Sequence, residues 1–290
     1  TGGFVRNGTG VLTLAGANTF TGGVTVTAGT LAAGSTGAFG ANAVTINGGV
    51  LDLGQQALAN NFTLNGGELA NGSLALARVT ANAGTISATL TGTGGFVRNG
   101  SGVLTLAGTN TFTGGVTVTA GTLTAGSTGA FGANAVTVNG GILNLGQQTL
   151  ANNITIAGGE LTGGSIDAGR VTLASGTISA TLTGAGTLTK SGTGTFTLGS
   201  ANTFTGGTNL SGGTLVAGDV GAFGTGAVNV TAGTLDLGNL AVANDVTLRG
   251  GALQNAAEYT GTATVPVGQT FNLNTDLGGT LNVLGTVDFT

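Results

Sequence analysis

Short runs of alternating apolar and polar residues recur along the whole chain. Val24-Thr25-Val26-Thr27, Val44-Thr45-Ile46 and Phe62-Thr63-Leu64 are three of them, and further runs start near Val11 and Val79. Alternation with period two puts one set of side chains on each face of an extended strand. Between the runs lie corners such as Ala28-Gly29-Thr30, Asn47-Gly48-Gly49 and Asn65-Gly66-Gly67. Gly and Asn supply the positive φ angles that sharp corners need. Thus Val44-Thr45-Ile46, Asn47-Gly48-Gly49 and Val50-Leu51-Asp52-Leu53 read as strand, corner, strand. Asn-Gly is also a hairpin signal, but hairpins leave the regular spacing of the runs unexplained.

That spacing belongs to a longer repeat. Asn-Thr-Phe-Thr-Gly-Gly starts at Asn18, Asn110 and Asn202, and Gly-Ala-Phe-Gly starts at Gly37, Gly129 and Gly221, so the period is 92 residues. Copy one is 1–92 and copy two 93–184, with 73 of 92 positions identical. Copy three, 185–276, is more diverged, and 277–290 begins a fourth. Within a copy the strand starts lie about 17 to 20 residues apart, and five turns of ~18 residues account for the period, the length of one rung of a parallel β-helix. The predicted fold class is therefore all-β: a right-handed single-stranded parallel β-helix, a β-solenoid of roughly 16 rungs of ~18 residues, continuous through all copies. At ~4.8 Å per rung it would be about 75 Å long. From Gln254 the sequence departs from the repeat, with Glu258, Tyr259 and Pro266, and distorted rungs or a partial cap are expected there.

Leu, Val, Ile, Phe and Ala are predicted to point inward and stack rung on rung, with Thr and Asn outward. Asn42 and Asn60, one turn apart, have two readings. They form an inward ladder of stacked amides, or each satisfies its own turn. Phe20, Phe112 and Phe204, and Phe39, Phe131 and Phe223, recur at the same period. They are read as core or corner residues, with exposed platforms for sugars as the alternative.

Composition narrows the function. Gly supplies 61 of 290 residues, and there is no Cys, Met, Trp or His. Only 6% of residues are charged, against roughly 25% in ordinary soluble domains, and the net charge is −4. Nucleic acid is excluded as a partner, because its phosphates demand clustered Lys and Arg. The 40% apolar content, rich in Val and Ile, argues against disorder. No apolar run is long enough for a membrane-spanning helix.

Without His or Cys there is no Ser-His-Asp or Cys-His arrangement and no ordinary transition-metal site. The strongest catalytic constellation is Asp52, Glu68 and Arg78, because acids one rung apart on one face are what glycan cleavage needs. The copies do not share it: Asp52 becomes Asn144, and Glu68 becomes Ala252 in copy three. The charges are therefore read as isolated solvated groups that keep the chain soluble. No Gly-Gly-x-Gly-x-Asp calcium motif is present, so no catalytic, cofactor or metal residue is predicted. Ice binding would need a Thr-x-Thr pair on every rung. Thr13-Leu14-Ala15, Thr45-Ile46-Asn47 and Thr63-Leu64-Asn65 break the array begun by Thr25-Val26-Thr27.

The stretch from Gly10 to Leu31, Gly-Val-Leu-Thr-Leu-Ala-Gly-Ala-Asn-Thr-Phe-Thr-Gly-Gly-Val-Thr-Val-Thr-Ala-Gly-Thr-Leu, returns from Gly102 to Leu123 and more loosely from Gly194 to Leu215. It resembles the autotransporter-associated β-strand repeat of bacterial autotransporter passengers. The resemblance implies a β-helical passenger carried across the outer membrane and displayed on the cell surface or secreted. It also implies a signal peptide and a translocator barrel in the parent protein, so the chain reads as part of something longer or as a released relative. It brings no catalytic residue. The function expected is an extracellular structural or adhesive solenoid, a cell-surface stalk or fibre-forming module, not an enzyme. A glycan-binding or glycan-cleaving β-helix is the alternative. Expected partners are further copies joined head to tail through exposed end rungs, and a host-surface or biofilm glycan or protein.

Overall fold

A computed structural model describes residues 2–256, 258–268, 270–273, 280–283 and 286–288. Short strands, mostly of three or four residues, run through it and pair in parallel. The helix among the described residues is limited to two single 3-10 turns, Leu76–Arg78 and Ala168–Arg170. Contacts divide the chain into two compact units, residues 1–136 with 142–148, and residues 137–141 with 149–290.

In the first unit, Phe4–Arg6, Val24–Val26, Val44–Ile46, Phe62–Leu64 and Val79–Ala81 form one five-stranded parallel sheet. Phe4 lies opposite Val24, Val24 opposite Val44, Val44 opposite Phe62, and Phe62 opposite Val79. Successive turns therefore take 20, 20, 18 and 17 residues, and a last turn from Val79 to Phe96 completes the copy. A second face stacks Leu12, Leu31, Leu51, Leu69 and Ile86 in register. From Leu31 onward this column is fully buried, and each such side chain contributes about 1.5–3 kcal/mol.

The two long turns are long for a reason visible in sequence. They carry the Asn-Thr-Phe-Thr-Gly-Gly and Gly-Ala-Phe-Gly segments, which fold their rings under the loop. Phe39, Phe112, Phe131, Phe204 and Phe223 are all buried, and Phe96 stacks on Phe112 with ring centroids 6.5 Å apart. Five of the six recurring Phe are therefore core, and the sixth, Phe20, is half-buried and stacks on Phe4 with ring centroids 6.2 Å apart. Five turns per 92-residue copy are as expected, but the count over the chain is lower than the roughly 16 predicted. The parallel solenoid has about 14 turns.

Corners follow the Gly positions. Gly49 has φ +66°, and a Cβ there would lie 2.4 Å from the Gly29 carbonyl oxygen of the turn before. Backbone of successive turns meets so closely at this corner that a side chain has no room.

The second unit repeats the plan. Leu188–Lys190, Thr208–Leu210, Val228–Val230, Val246–Leu248 and Thr262–Val265 pair in parallel. Thr195–Leu198, Thr214–Ala217, Thr234–Asp236 and Ala252–Gln254 form the companion face. Past Gln254 the coil goes on: Val246 lies opposite Ala263, 17 residues later. Tyr259 is buried and its hydroxyl donates to the Asn244 carbonyl oxygen at 2.9 Å. Of the partial fourth copy, 277–290, only residues 280–283 and 286–288 are described. They continue the parallel pairing.

Candidate functional site

Of the two acids that suggested catalysis, Asp52 is a turn former. Asp52 Oδ1 accepts the Gly54 N–H at 2.8 Å and Oδ2 accepts the Asn71 amide at 2.9 Å. Asn144 Oδ1 accepts the Gly146 N–H at 2.8 Å, and Asp236 Oδ1 the Gly238 N–H at 2.9 Å. The shared task is to accept an N–H two residues on, before a Gly with φ near +60°. Asp and Asn do this equally well, which explains their exchange between copies.

Glu68 and Asp52 do occupy adjacent strands, since Val50 faces Glu68 and Asp52 faces Ala70. Glu68 accepts the Ser87 hydroxyl, and Glu160 accepts that of Ser179 at 2.7 Å. Arg78 instead donates to the Ala59 carbonyl, so the three residues form no common site. Arg78 is exposed and Asp52 and Glu68 are part-exposed, and each also holds a backbone or side-chain group of a neighbouring turn.

The cations that matter structurally are Arg6, Arg98 and Lys190, one per copy at the same position. Arg98 and Lys190 are 0% exposed. Arg98 Nε donates to the Thr122 carbonyl at 3.3 Å, and Nη2 donates to that of Gly102. Arg6 repeats this with Thr30 and Gly10. Lys190 Nζ donates to the carbonyls of Ser191, Gly192 and Gly212 at 3.0, 3.0 and 3.2 Å. Backbone dipoles replace a carboxylate as the counter-charge. Burial lowers the pKa of both Arg98 and Lys190, because desolvation disfavours the charged form. The signal for an inward cation was phase. Arg98 stands two residues after Phe96 in the same strand, so if one faces in, both do.

Buried amides are the second polar component. Asn110 Oδ1 accepts the Leu90 N–H at 2.8 Å, and Nδ2 donates to the Ala130 carbonyl at 2.6 Å. Asn202 does the same with Leu182 and Ala222. This is the physical content of the recurring Asn-Thr-Phe. Asn60 points inward, but into neither arrangement read from sequence. Its amide donates to the backbone carbonyls of Gly40 and Asn42 in the preceding turn, as Asn42 does to Phe20. An amide ladder does exist, on the outside: Asn82 donates to Asn65 at 2.7 Å and Asn65 to Asn47 at 2.9 Å. Beside it runs a column of Thr25, Thr45, Thr63 and Thr80. Thr13 belongs to the other sheet, opposite Ala32, so the Thr column of copy one runs over four turns below an exposed Val5, and its neighbour column is Thr27, Asn47, Asn65 and Asn82.

Residues 4–33, 96–125 and 188–217 match the passenger-associated-transport-repeat family. Each matched segment holds one inward cation at its third residue and one bridging Asn. These are the repeats of an autotransporter passenger region. Over 164 residues the chain is 35% identical to the adhesin BmaC autotransporter of Brucella suis biovar 1 (strain 1330), an alignment covering 49% of this chain and 5% of that protein. The chain thus spans a small fraction of the relative it matches. No solved structure matches. The passenger repeats and the solenoid agree with a cell-surface or secreted passenger module.

Proposed function

We propose that the chain is an adhesive, non-enzymatic segment of a bacterial surface passenger, displayed on the outer membrane or released. The observation carrying this reading is that the candidate catalytic groups Asp52, Glu68 and Arg78 are each engaged within the solenoid rather than gathered in one cleft. The outer face instead carries mainly hydroxyls and amides: Thr25, Thr45, Thr63 and Thr80 return as Thr117, Thr137, Thr155 and Thr172 in copy two and as Asn209, Asn229, Thr247 and Thr264 in copy three, where Arg249 takes the place of Asn65. A regular face of hydroxyls and amides suits weak, repeated contacts with a glycan or protein of a host surface or biofilm, summed over many rungs. Residues of the end rungs would also serve head-to-tail association of copies. The adhesin relative supports the adhesive part of this reading.

The test is adherence of beads coated with the purified chain to host-cell monolayers and to biofilm matrix, beside a concentration series in negative-stain electron microscopy. Adherence above albumin-coated beads is expected, and rods that lengthen with concentration. Beads that adhere to neither surface would overturn the adhesive reading. Rods of constant length would remove self-association from it.

A further inference from the structure

In copy one the first sheet is interrupted. Val79–Ala81 pairs with Phe62–Leu64 on one side, and Phe96–Arg98 pairs with Val116–Val118 on the other. No ladder joins Val79–Ala81 to Phe96–Arg98 among the described residues. Copy two closes the same junction: Thr172 lies opposite Thr189, Leu173 opposite Lys190, and the Ser191 N–H reaches the Leu173 carbonyl at 3.3 Å.

The sequence explains the difference. At the inward position copy two has Leu173, fully buried, where copy one has Ala81, only half-buried. Across the junction copy one is larger, with Phe96 and Arg98 where copy two has Leu188 and Lys190. A small residue under two large ones leaves the rungs apart. The result is a cavity of about 410 Å³, walled by Val79–Asn82 and by Gly94–Val97 with Asn99. That volume lies within the ~300–1,000 Å³ range of ligand pockets. Val97 on its wall is 58% exposed.

Two features say what fits. The walls are facing strand edges that lack their mutual ladder; the N–H groups of Val79, Asn82 and Phe96 are taken by the carbonyls of Leu76, Leu64 and Gly115, and the alternate groups left facing the opening are those an added strand satisfies. The lining holds no acid, while Arg98 Nη1, behind the wall rather than on it, is buried without a hydrogen-bond partner. That nitrogen and the Asn82 carbonyl, part of the wall, both lie within 3.0 Å of the point a Cβ on Gly100 would occupy. In copy three the ammonium of Lys190 has three carbonyl partners, so an open junction and an unsatisfied cation go together.

We infer that this opening takes an extended peptide strand of a partner protein, bound by backbone hydrogen bonds to Val79–Asn82 and Phe96–Asn99, with a carboxylate side chain directed to the Arg98 end. The proposal is separate from adhesion by the Thr and Asn face, and failure of the bead assay would leave it standing.

The experiment uses the whole chain and two fluorescein-labelled ten-residue peptides of alternating Thr and Val, one with a central Glu and one with Lys. A neutral β-glucan hexasaccharide serves as the third probe. Residue-resolved hydrogen exchange on the free chain is expected to show the amides facing the opening exchanging about 100-fold faster than those of 171–174 and 188–191. The Glu peptide is expected to bind saturably by anisotropy, slow exchange on both walls, and bind about tenfold more tightly than the Lys peptide. Ala81→Leu, which restores the copy-two residue, should weaken it about tenfold or more. Protected wall amides in the free chain would overturn the inference. So would peptides that slow neither wall, or protection by the glucan instead. These readings on the unaltered chain decide the matter even if Ala81→Leu fails to fold.

Discussion

The Leu90 backbone N–H donates to the side chain of Asn110 at 2.8 Å, across one turn of the coil. With the bond from Asn110 to the Ala130 carbonyl at 2.6 Å, one buried amide ties three successive turns. Asn110→Ala strands a donor and an acceptor, each costing about 1–3 kcal/mol when buried and unsatisfied. A loss of about 2–5 kcal/mol is expected in urea unfolding. Asn110→Asp keeps the acceptor but sets a carboxylate against the Ala130 carbonyl, and is expected to lose at least as much. A loss under about 1 kcal/mol for Asn110→Ala would mean that water takes over both bonds.

Asp52 is expected to be replaceable by Asn. Its Oδ1 accepts the Gly54 N–H, and Asn144 performs the same bond in copy two. Asp52→Asn should stay within about 0.5 kcal/mol of the parent once the exposed Asn71 amide turns over to keep its bond, whereas Asp52→Ala should lose about 1 kcal/mol with the cap. Any chemistry by a carboxylate at this position would fail in both variants. Bead adherence is therefore expected to be unchanged in Asp52→Asn.

The solenoid was legible because its signals are local and repeated. Alternation in Val44-Thr45-Ile46 and corners such as Asn47-Gly48-Gly49 depend only on neighbours in sequence. The 92-residue period then multiplies each signal. The polar interior was less legible for a physical reason. Arg and Asn are mostly exposed in proteins, so Arg98 and Asn110 read as surface until the phase of their strands is followed inward. Asp52 drew attention as an acid, but its partner is a backbone N–H two residues away, and its exchange with Asn144 was the clue. The open junction was out of reach. It depends on Ala81 standing where copy two sets Leu173 opposite Lys190, a volume mismatch with Arg98 and its neighbour Phe96 that sequence proximity does not reveal.

Two buried titratable groups give opposite pH dependence at the alkaline end. Burial lowers the Lys190 pKa below 10.5, so below that value the unfolded chain binds more protons and stability rises with pH. Tyr259 behaves conversely. Burial first, and then the charge of Asp245, raise its pKa above 10.0. Its contribution is complete below about pH 10 and is lost as pH rises through the raised value. Urea unfolding from pH 8 upward should show a rise that Lys190→Met abolishes, then a fall that Tyr259→Phe abolishes. A parent profile flat from pH 8 to 11 would contradict both assignments.

The carbonyl cage around Arg98 predicts which substitutions the repeat tolerates. Copy three places Lys at the same position and satisfies it wholly with backbone oxygens. Arg98→Lys is therefore expected to stay within about 1 kcal/mol of the parent, since the change also removes an unsatisfied guanidinium nitrogen. Arg98→Glu sets a buried charge against the carbonyls of Gly102 and Thr122, and should lose about 3–5 kcal/mol. The cage has a second requirement at Gly121, whose φ is +62° and whose added Cβ would meet the Gly100 carbonyl and Arg98 Nη2. Gly121→Ala should lose more than about 1 kcal/mol, through left-handed strain and collision with the cage. Combining it with Arg98→Lys tests the collision directly. If the guanidinium is the obstacle, the shorter ammonium should recover part of the loss, and the double variant should be more stable than the two single changes sum to. Strict additivity would place the whole effect in the backbone at Gly121.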